Sequence, residues 1–171
     1  MKNKSTKKIA VSALLLAMDV LLTRVFAINT PIMKIGLGFM AVALCAALYG
    51  PWWSSLVAAL ADIAGSLIFP TGAYFPGFTL TAALTGIIFG LCLYKKKKDL
   101  KHAVTASALN VLIVTYIANS AMISYVSGTP YVELLKIRAI QLLIMLPIQI
   151  VMLRAVLPAI MNHIPSDEKN V

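Results

Sequence analysis

Six long apolar runs, separated by short polar or turn-forming segments, dominate this sequence. They cover approximately residues 9–27, 38–49, 53–69, 78–94, 103–126 and 132–160. None has the alternating pattern of a barrel strand, and lipid offers no hydrogen-bond partner to an open backbone, so the runs are expected to be helices. With 171 residues, 60% of them hydrophobic, the chain is predicted to form one all-α integral membrane domain of six transmembrane helices, residues 1–171.

The lysines predict how this domain is oriented. A basic segment, residues 1–8, precedes the first run, and Lys95 to Lys98 with Lys101 lie between the fourth and fifth runs. An even number of crossings puts both clusters and the tail, residues 165–171, on one side. Cytoplasmic segments retain positive charge, so both termini are predicted to be cytoplasmic. Anionic lipid or nucleic acid is a second explanation of a lysine cluster, but topology is preferred and no nucleic-acid partner is expected.

One stretch, residues 24–39, interrupts the apolar sequence between the first two runs. It contains two cations, Arg24 and Lys34, a turn-forming Asn-Thr-Pro, and two glycines at positions 36 and 38. The predicted topology places this stretch at the outer face of the membrane, where positive charge is normally scarce. Cations retained there indicate an anionic ligand.

Polar side chains within the apolar runs require a cavity or a partner, because a charged group in hydrocarbon costs roughly 2.5–3.5 kcal/mol on insertion scales. Two interpretations are open. One is a polar ligand pocket, and the other is a structural ion pair of Asp62 with Arg24 or Arg138, with amides joining the helices. A pocket can also use a pair that is structural. The side chains in question are Arg24, Asp62, Asn110, Asn119, Arg138 and Gln141.

Catalytic motifs are missing from the sequence. It contains no G-x-S-x-G, H-E-x-x-H or Walker A pattern and no Cys/His cluster, so neither an enzyme nor a metal or cofactor site is predicted. Cys45 and Cys92 are expected to be small core residues. A proton-coupled carrier that uses Asp19 or Asp62 remains an alternative, although no matched pair of broken helices indicates inverted repeats.

Small residues form a stripe on the first helix. Ala10, Ala13 and Ala17 recur at helical spacing, and Ala13 and Ala17 form a small-xxx-small pair that allows another helix to approach closely. Either a partner subunit or the rest of the bundle is expected to pack there.

Three phrases and the alanine pair resemble a known family. The phrases are Asn-Thr-Pro-Ile-Met-Lys-Ile-Gly-Leu-Gly-Phe at 29–39, Tyr-Gly-Pro at 49–51, and Phe-Pro-Thr-Gly-Ala-Tyr-Phe-Pro-Gly-Phe-Thr-Leu at 69–80. With six predicted spans in under 200 residues, the chain resembles the substrate-binding S components of energy-coupling factor (ECF) vitamin transporters, and among them the folate-specific branch. S components carry an A-x-x-x-A motif where this sequence has Ala13 and Ala17.

The resemblance implies a function and a set of partners. The protein would bind folate from outside, sit in a bacterial cell membrane, and dock through Ala13 and Ala17 on a membrane scaffold subunit that carries two cytoplasmic ATPases. It would hydrolyse no ATP itself. An S component for another vitamin is the alternative within the group.

Folate chemistry selects the candidate ligand contacts. Its two carboxylates suit Arg24, Lys34 or Arg138, which form charge-assisted hydrogen bonds. Its pterin head presents an amino group beside ring nitrogens, a pattern that Asp62, Asn110 or Gln141 is able to read. Its rings would stack on aromatic side chains. The predicted substrate-binding residues are Arg24, Lys34, Phe39, Asp62, Tyr74, Phe75, Phe78, Asn110, Arg138 and Gln141.

Overall fold

The computed structural model describes residues 2–29, 34–70, 74–96 and 100–163, and the side chains of 2–4, 28, 29, 34, 35 and 161–163 are outside this description. The described residues form six helices and one short pair of strands. The elements are α1 (Lys2–Val20, extended by a π-helical turn, Leu21–Val25), β1 (Ile28–Asn29), β2 (Lys34–Ile35), α2 (Phe39–Tyr49), α3 (Pro51–Ile68), α4 (Pro76–Leu93), α5 (Leu100–Ser127) and α6 (Tyr131–His163). The strands pair antiparallel, with Ile28 opposite Ile35.

The predicted all-α membrane fold is confirmed, with differences in helix length. Helices α3, α4, α5 and α6 are long and apolar enough to cross a membrane. Helix α2 has only 11 residues, about 17 Å, which is short for a bilayer core. Helix α1 begins at Lys2, so the basic segment predicted to precede it is itself helical. The predicted tail, residues 165–171, lies outside the described residues.

Helix α2 is the centre of the core. Its side chains from Ala41 to Leu48 are all at most 6% exposed, as expected for a helix that is apolar on every face. It contacts α1, α3, α4 and α6. Cys45 is buried within it and Cys92 is buried in α4, which confirms that both are core residues. Four of the longer helices therefore pack around this short, buried one.

Helices α3 and α4 pack against each other at very short range. A side chain at Gly86 or Gly90 would overlap the backbone of Ser55 or Pro51. The hydroxyl of Ser54 donates to the carbonyl oxygen of Gly86 at 2.8 Å. The two glycines, one turn apart, form the small-residue contact that lets membrane helices approach.

The N-terminal half of α1 is fixed to α3 by polar and aromatic contacts. The ammonium of Lys8 lies 4.3 Å from the ring centroid of Trp53, whose indole N–H donates to Ser12 Oγ at 2.7 Å. With α1 held in this way, Ala13 and Ala17 are exposed. The alanine pair therefore does not pack inside the bundle.

Candidate functional site

A cavity of about 510 Å³ lies among helices α1–α6. Most of the predicted ligand residues line it, although they come from distant parts of the sequence. Those on its wall are Arg24, Phe39, Asp62, Tyr74, Phe75, Phe78, Asn110, Arg138 and Gln141. Lys34 lies in β2, and its side chain is outside the described part of the chain.

Two π-helical segments place polar groups on this wall. Arg24 lies in the π turn Leu21–Val25, and Asn110 begins the π segment Asn110–Ala118 within α5. Such wider turns are rare and occur often at functional sites. They were not predicted from the sequence, because the apolar pattern does not distinguish a π turn from a continuous α-helix.

Near the start of α4, Arg24 forms an ion pair. Its Nη2 lies 3.1 Å from Asp62 Oδ1. The other carboxylate oxygen of Asp62 accepts from Thr79 Oγ1 at 2.8 Å, and that hydroxyl lies 2.9 Å from the hydroxyl of Tyr74. Of the two pairings left open by the sequence, the structure has the one with Arg24. Together with these two hydroxyl groups, the ion pair connects α1, α3, α4 and the segment that leads into α4.

Arg138 has a different environment. It is only 3% exposed, its Nε donates to Gln141 Oε1 at 3.0 Å, and its Nη1 donates to Ser120 Oγ at 3.1 Å. Among the described residues it has no carboxylate partner. Hydrogen bonds to neutral groups orient the guanidinium but leave its charge uncompensated, and a buried uncompensated charge is costly. The site is therefore suited to an anion supplied by a ligand.

A pair of amides lies further than Arg138 from the turn that joins α5 and α6. Asn110 Nδ2 donates to Gln149 Oε1 at 3.2 Å, and these side chains are 3% and 1% exposed. Gln149 follows Arg138 by 11 residues on one continuous helix, a rise of about 16 Å. The Ser120–Arg138 contact lies nearer that turn. The amide pair therefore forms the deep end of the cavity.

Aromatic side chains surround the opposite end. Phe75 packs edge-on against Phe78 with ring centroids 6.0 Å apart, and it also contacts Tyr125 at 5.6 Å. Tyr74 is half exposed and Phe39 is buried in the wall. The cavity thus combines flat apolar surfaces, an uncompensated cation and neutral amides, which suits an elongated ligand with rings and an anionic group.

Several wall residues were missed or left without a role by the sequence reasoning. The spacing of Arg138, Gln141, Met145 and Gln149 follows one helix face, and that periodicity is the signal that would have identified Gln149. Asn119 is one of the polar residues that the sequence analysis expected to need a cavity or a partner. Its Oδ1 accepts a hydrogen bond from Thr81 Oγ1 at 2.8 Å beside the cavity. Asp19 also lines the wall and accepts from Thr23 at 2.8 Å.

A helical membrane domain with a cavity of this composition defines a substrate-binding membrane protein. The sequence profile of the family described as "ECF transporter, substrate-specific component" matches residues 7–164. The chain belongs to this family, whose members are components of transporters. It is accordingly a multi-pass protein of the bacterial plasma membrane.

Similar proteins within this family share the name folate transporter FolT. The folate transporter FolT of Clostridium novyi is 34% identical over 141 residues, which is 82% of each chain. The FolT of Leuconostoc mesenteroides is 32% identical over 151 residues, covering 85% of this chain and 81% of that one. A crystal structure of FolT bound with folic acid has 34% identity and a TM-score of 0.81, over 85% of this chain and 89% of that chain.

Proposed function

We propose that this protein is the high-affinity folate-binding subunit of an ECF-type transporter. The observation that carries the proposal is the buried guanidinium of Arg138, which no described carboxylate compensates, in an aromatic-lined cavity. Folate has two carboxylates at one end, one of which would give Arg138 an anionic partner, and two ring systems that suit the aromatic wall. The likeness to a FolT crystallised with folic acid supports the same ligand.

Arg138 is the proposed principal contact for the glutamate tail of folate. A guanidinium whose Nε and Nη1 are already oriented by Gln141 and Ser120 is pre-organised to receive a carboxylate. Arg24 already has the carboxylate of Asp62, so its proposed role is to shape the wall next to the ring-binding aromatics. Lys34, in the segment between α1 and α2, is a proposed additional contact for the tail.

Transport requires partners in this proposal. The family's transporters supply a membrane scaffold subunit and two cytoplasmic ATPases, and this chain has no nucleotide-binding motif of its own. Ala13 and Ala17 are exposed small residues on α1, where a scaffold helix is able to approach closely. The proposed orientation places both termini in the cytoplasm, with the aromatic end of the cavity facing out.

Isothermal titration of the purified protein tests the ligand assignment. Folate is expected to bind tightly, without ATP or metal, whereas thiamine, riboflavin and pantothenate give no heat of binding. Tight binding of one of these vitamins, with none of folate, would assign the chain to another branch of the family. Uptake of folate by cells that lack the ATPases would instead indicate a self-sufficient carrier.

A further inference from the structure

At the deep end of the cavity, the Asn110–Gln149 pair has hydrogen-bonding capacity that the protein does not use. Asn110 Oδ1 is buried and has no hydrogen-bond partner among the described residues. Gln149 accepts from Asn110 through Oε1, and the described residues provide no partner for its Nε2. A buried amide left half-satisfied is destabilising, and such groups in folded proteins generally have a functional or solvent-related reason.

This pair also has a rigid setting. Asn110 begins the π-helical segment of α5, and Gln149 lies two residues after Pro147 in α6, so neither is on a loop. The hydrogen bond between them fixes both side chains, leaving the acceptor Asn110 Oδ1 and the donor group Gln149 Nε2 for a third group. Both residues line the same cavity as Arg138.

The charge distribution determines which end of a ligand fits there. A carboxylate at the amide pair would lose its hydration without gaining a cation, whereas Arg138, about 16 Å nearer the other end, offers a positive charge. An uncharged heteroaromatic ring with N–H donors and a carbonyl acceptor on one edge would satisfy both free amide atoms. We infer that Asn110 and Gln149 together recognise the uncharged ring end of the ligand and determine specificity for it. This inference rests on the proposed function, since the pterin of folate is such a ring.

Three ligands that share parts of folate test the inference. Folic acid contains the pterin and the glutamate, pteroate lacks the glutamate, and p-aminobenzoylglutamate lacks the pterin. We expect Gln149→Met to weaken folic acid and pteroate by the same factor, about tenfold or more, because a buried ring donor or acceptor is left unpaired. Binding of p-aminobenzoylglutamate, measured by competition with labelled folic acid, should not change.

Arg138→Met is the matched control, since it removes a polar group from the same helix face. It should weaken folic acid and p-aminobenzoylglutamate and spare pteroate. The double variant Asn110→Leu/Gln149→Met should weaken folic acid little more than either single variant, because the two amides act as one unit. Equal weakening of all three ligands by Gln149→Met would show a structural role and overturn the inference, and so would unchanged pteroate binding.

A measurement on the unmodified protein avoids dependence on variants that do not fold. Folic acid methylated on the ring nitrogen beside the carbonyl keeps its rings and tail but loses one N–H donor. It should bind the wild-type protein about tenfold more weakly than folic acid, and equal affinity would contradict the inference. Absence of any folic acid binding by the wild type would instead overturn the proposed function itself, before any variant is compared.

Discussion

The two arginines of the cavity have opposite electrostatic environments. Arg24 lies 3.1 Å from Asp62, whose carboxylate also accepts a hydrogen bond from Thr79. Arg138 instead donates to the neutral side chains of Gln141 and Ser120. The first arginine is satisfied by the protein, and the second has a charge that the described residues leave uncompensated. The comparison indicates that a cation in a membrane cavity is a ligand contact mainly when the fold withholds its counter-ion.

The largest effect on folate affinity is expected from Arg138→Met. Loss of a charge-assisted bond worth about 1.5–3 kcal/mol should weaken folate by roughly 10- to 150-fold. Pteroate, which lacks the glutamate, should lose little affinity. Titration of both ligands checks this, and equal losses would assign Arg138 a structural role and remove the contrast with Arg24.

A smaller loss of folate affinity is expected from Arg24→Gln, and the losses for folate and pteroate should be related differently from those of Arg138→Met. Removing the guanidinium leaves Asp62 as an uncompensated carboxylate in the cavity, which destabilises the protein and disfavours an anionic ligand nearby. Folate and pteroate should weaken by similar factors, of the order of tenfold. The melting temperature should fall as well. Selective loss of folate with an unchanged melting temperature would make Arg24 a direct contact for the tail.

The double variant Arg24→Gln/Asp62→Asn sharpens the comparison further. Replacing both partners removes the stranded charge, and neutral amides of similar size are able to hydrogen-bond to each other. The double variant should recover most of the thermal stability and folate affinity that Arg24→Gln loses. Additive losses in this double-mutant cycle would mean that Asp62 acts on the ligand independently of Arg24.

Almost no change in folate affinity is expected from Ala13→Trp or Ala17→Trp. Both positions are exposed on α1 and neither lines the cavity. Bulky side chains there should nevertheless abolish folate uptake and co-purification with the scaffold subunit, because close helix packing drives association in lipid. Loss of folate binding in the isolated variants would show that the α1 surface is coupled to the cavity.

The helical fold was predictable because it follows from local properties of the sequence. Apolar runs such as 78–94 and 132–160 are too long and too uniform for other structures in a bilayer. The spacing of Gly86 and Gly90, one turn apart in a membrane helix, is a signal of close packing that the sequence analysis did not use. The charged and amide residues of the cavity were selected because such groups are unusual in hydrocarbon, whereas the aromatic residues were selected because folate has rings that would stack on them.

The sequence by itself determined that the chain is a helical membrane protein with polar groups that need partners. Only the tertiary structure decided which partners they have. The Arg24–Asp62 pair spans 38 residues and the Asn110–Gln149 pair spans 39, and separations of this size depend on how the helices are rotated and assembled. Apolar residues cover nearly every face of these helices, so hydropathy does not fix their rotation. Packing at close contacts such as Gly86 and Trp53 fixes the rotation of α1, α3 and α4 instead. The assembled helices give Arg138 only neutral partners among the described residues.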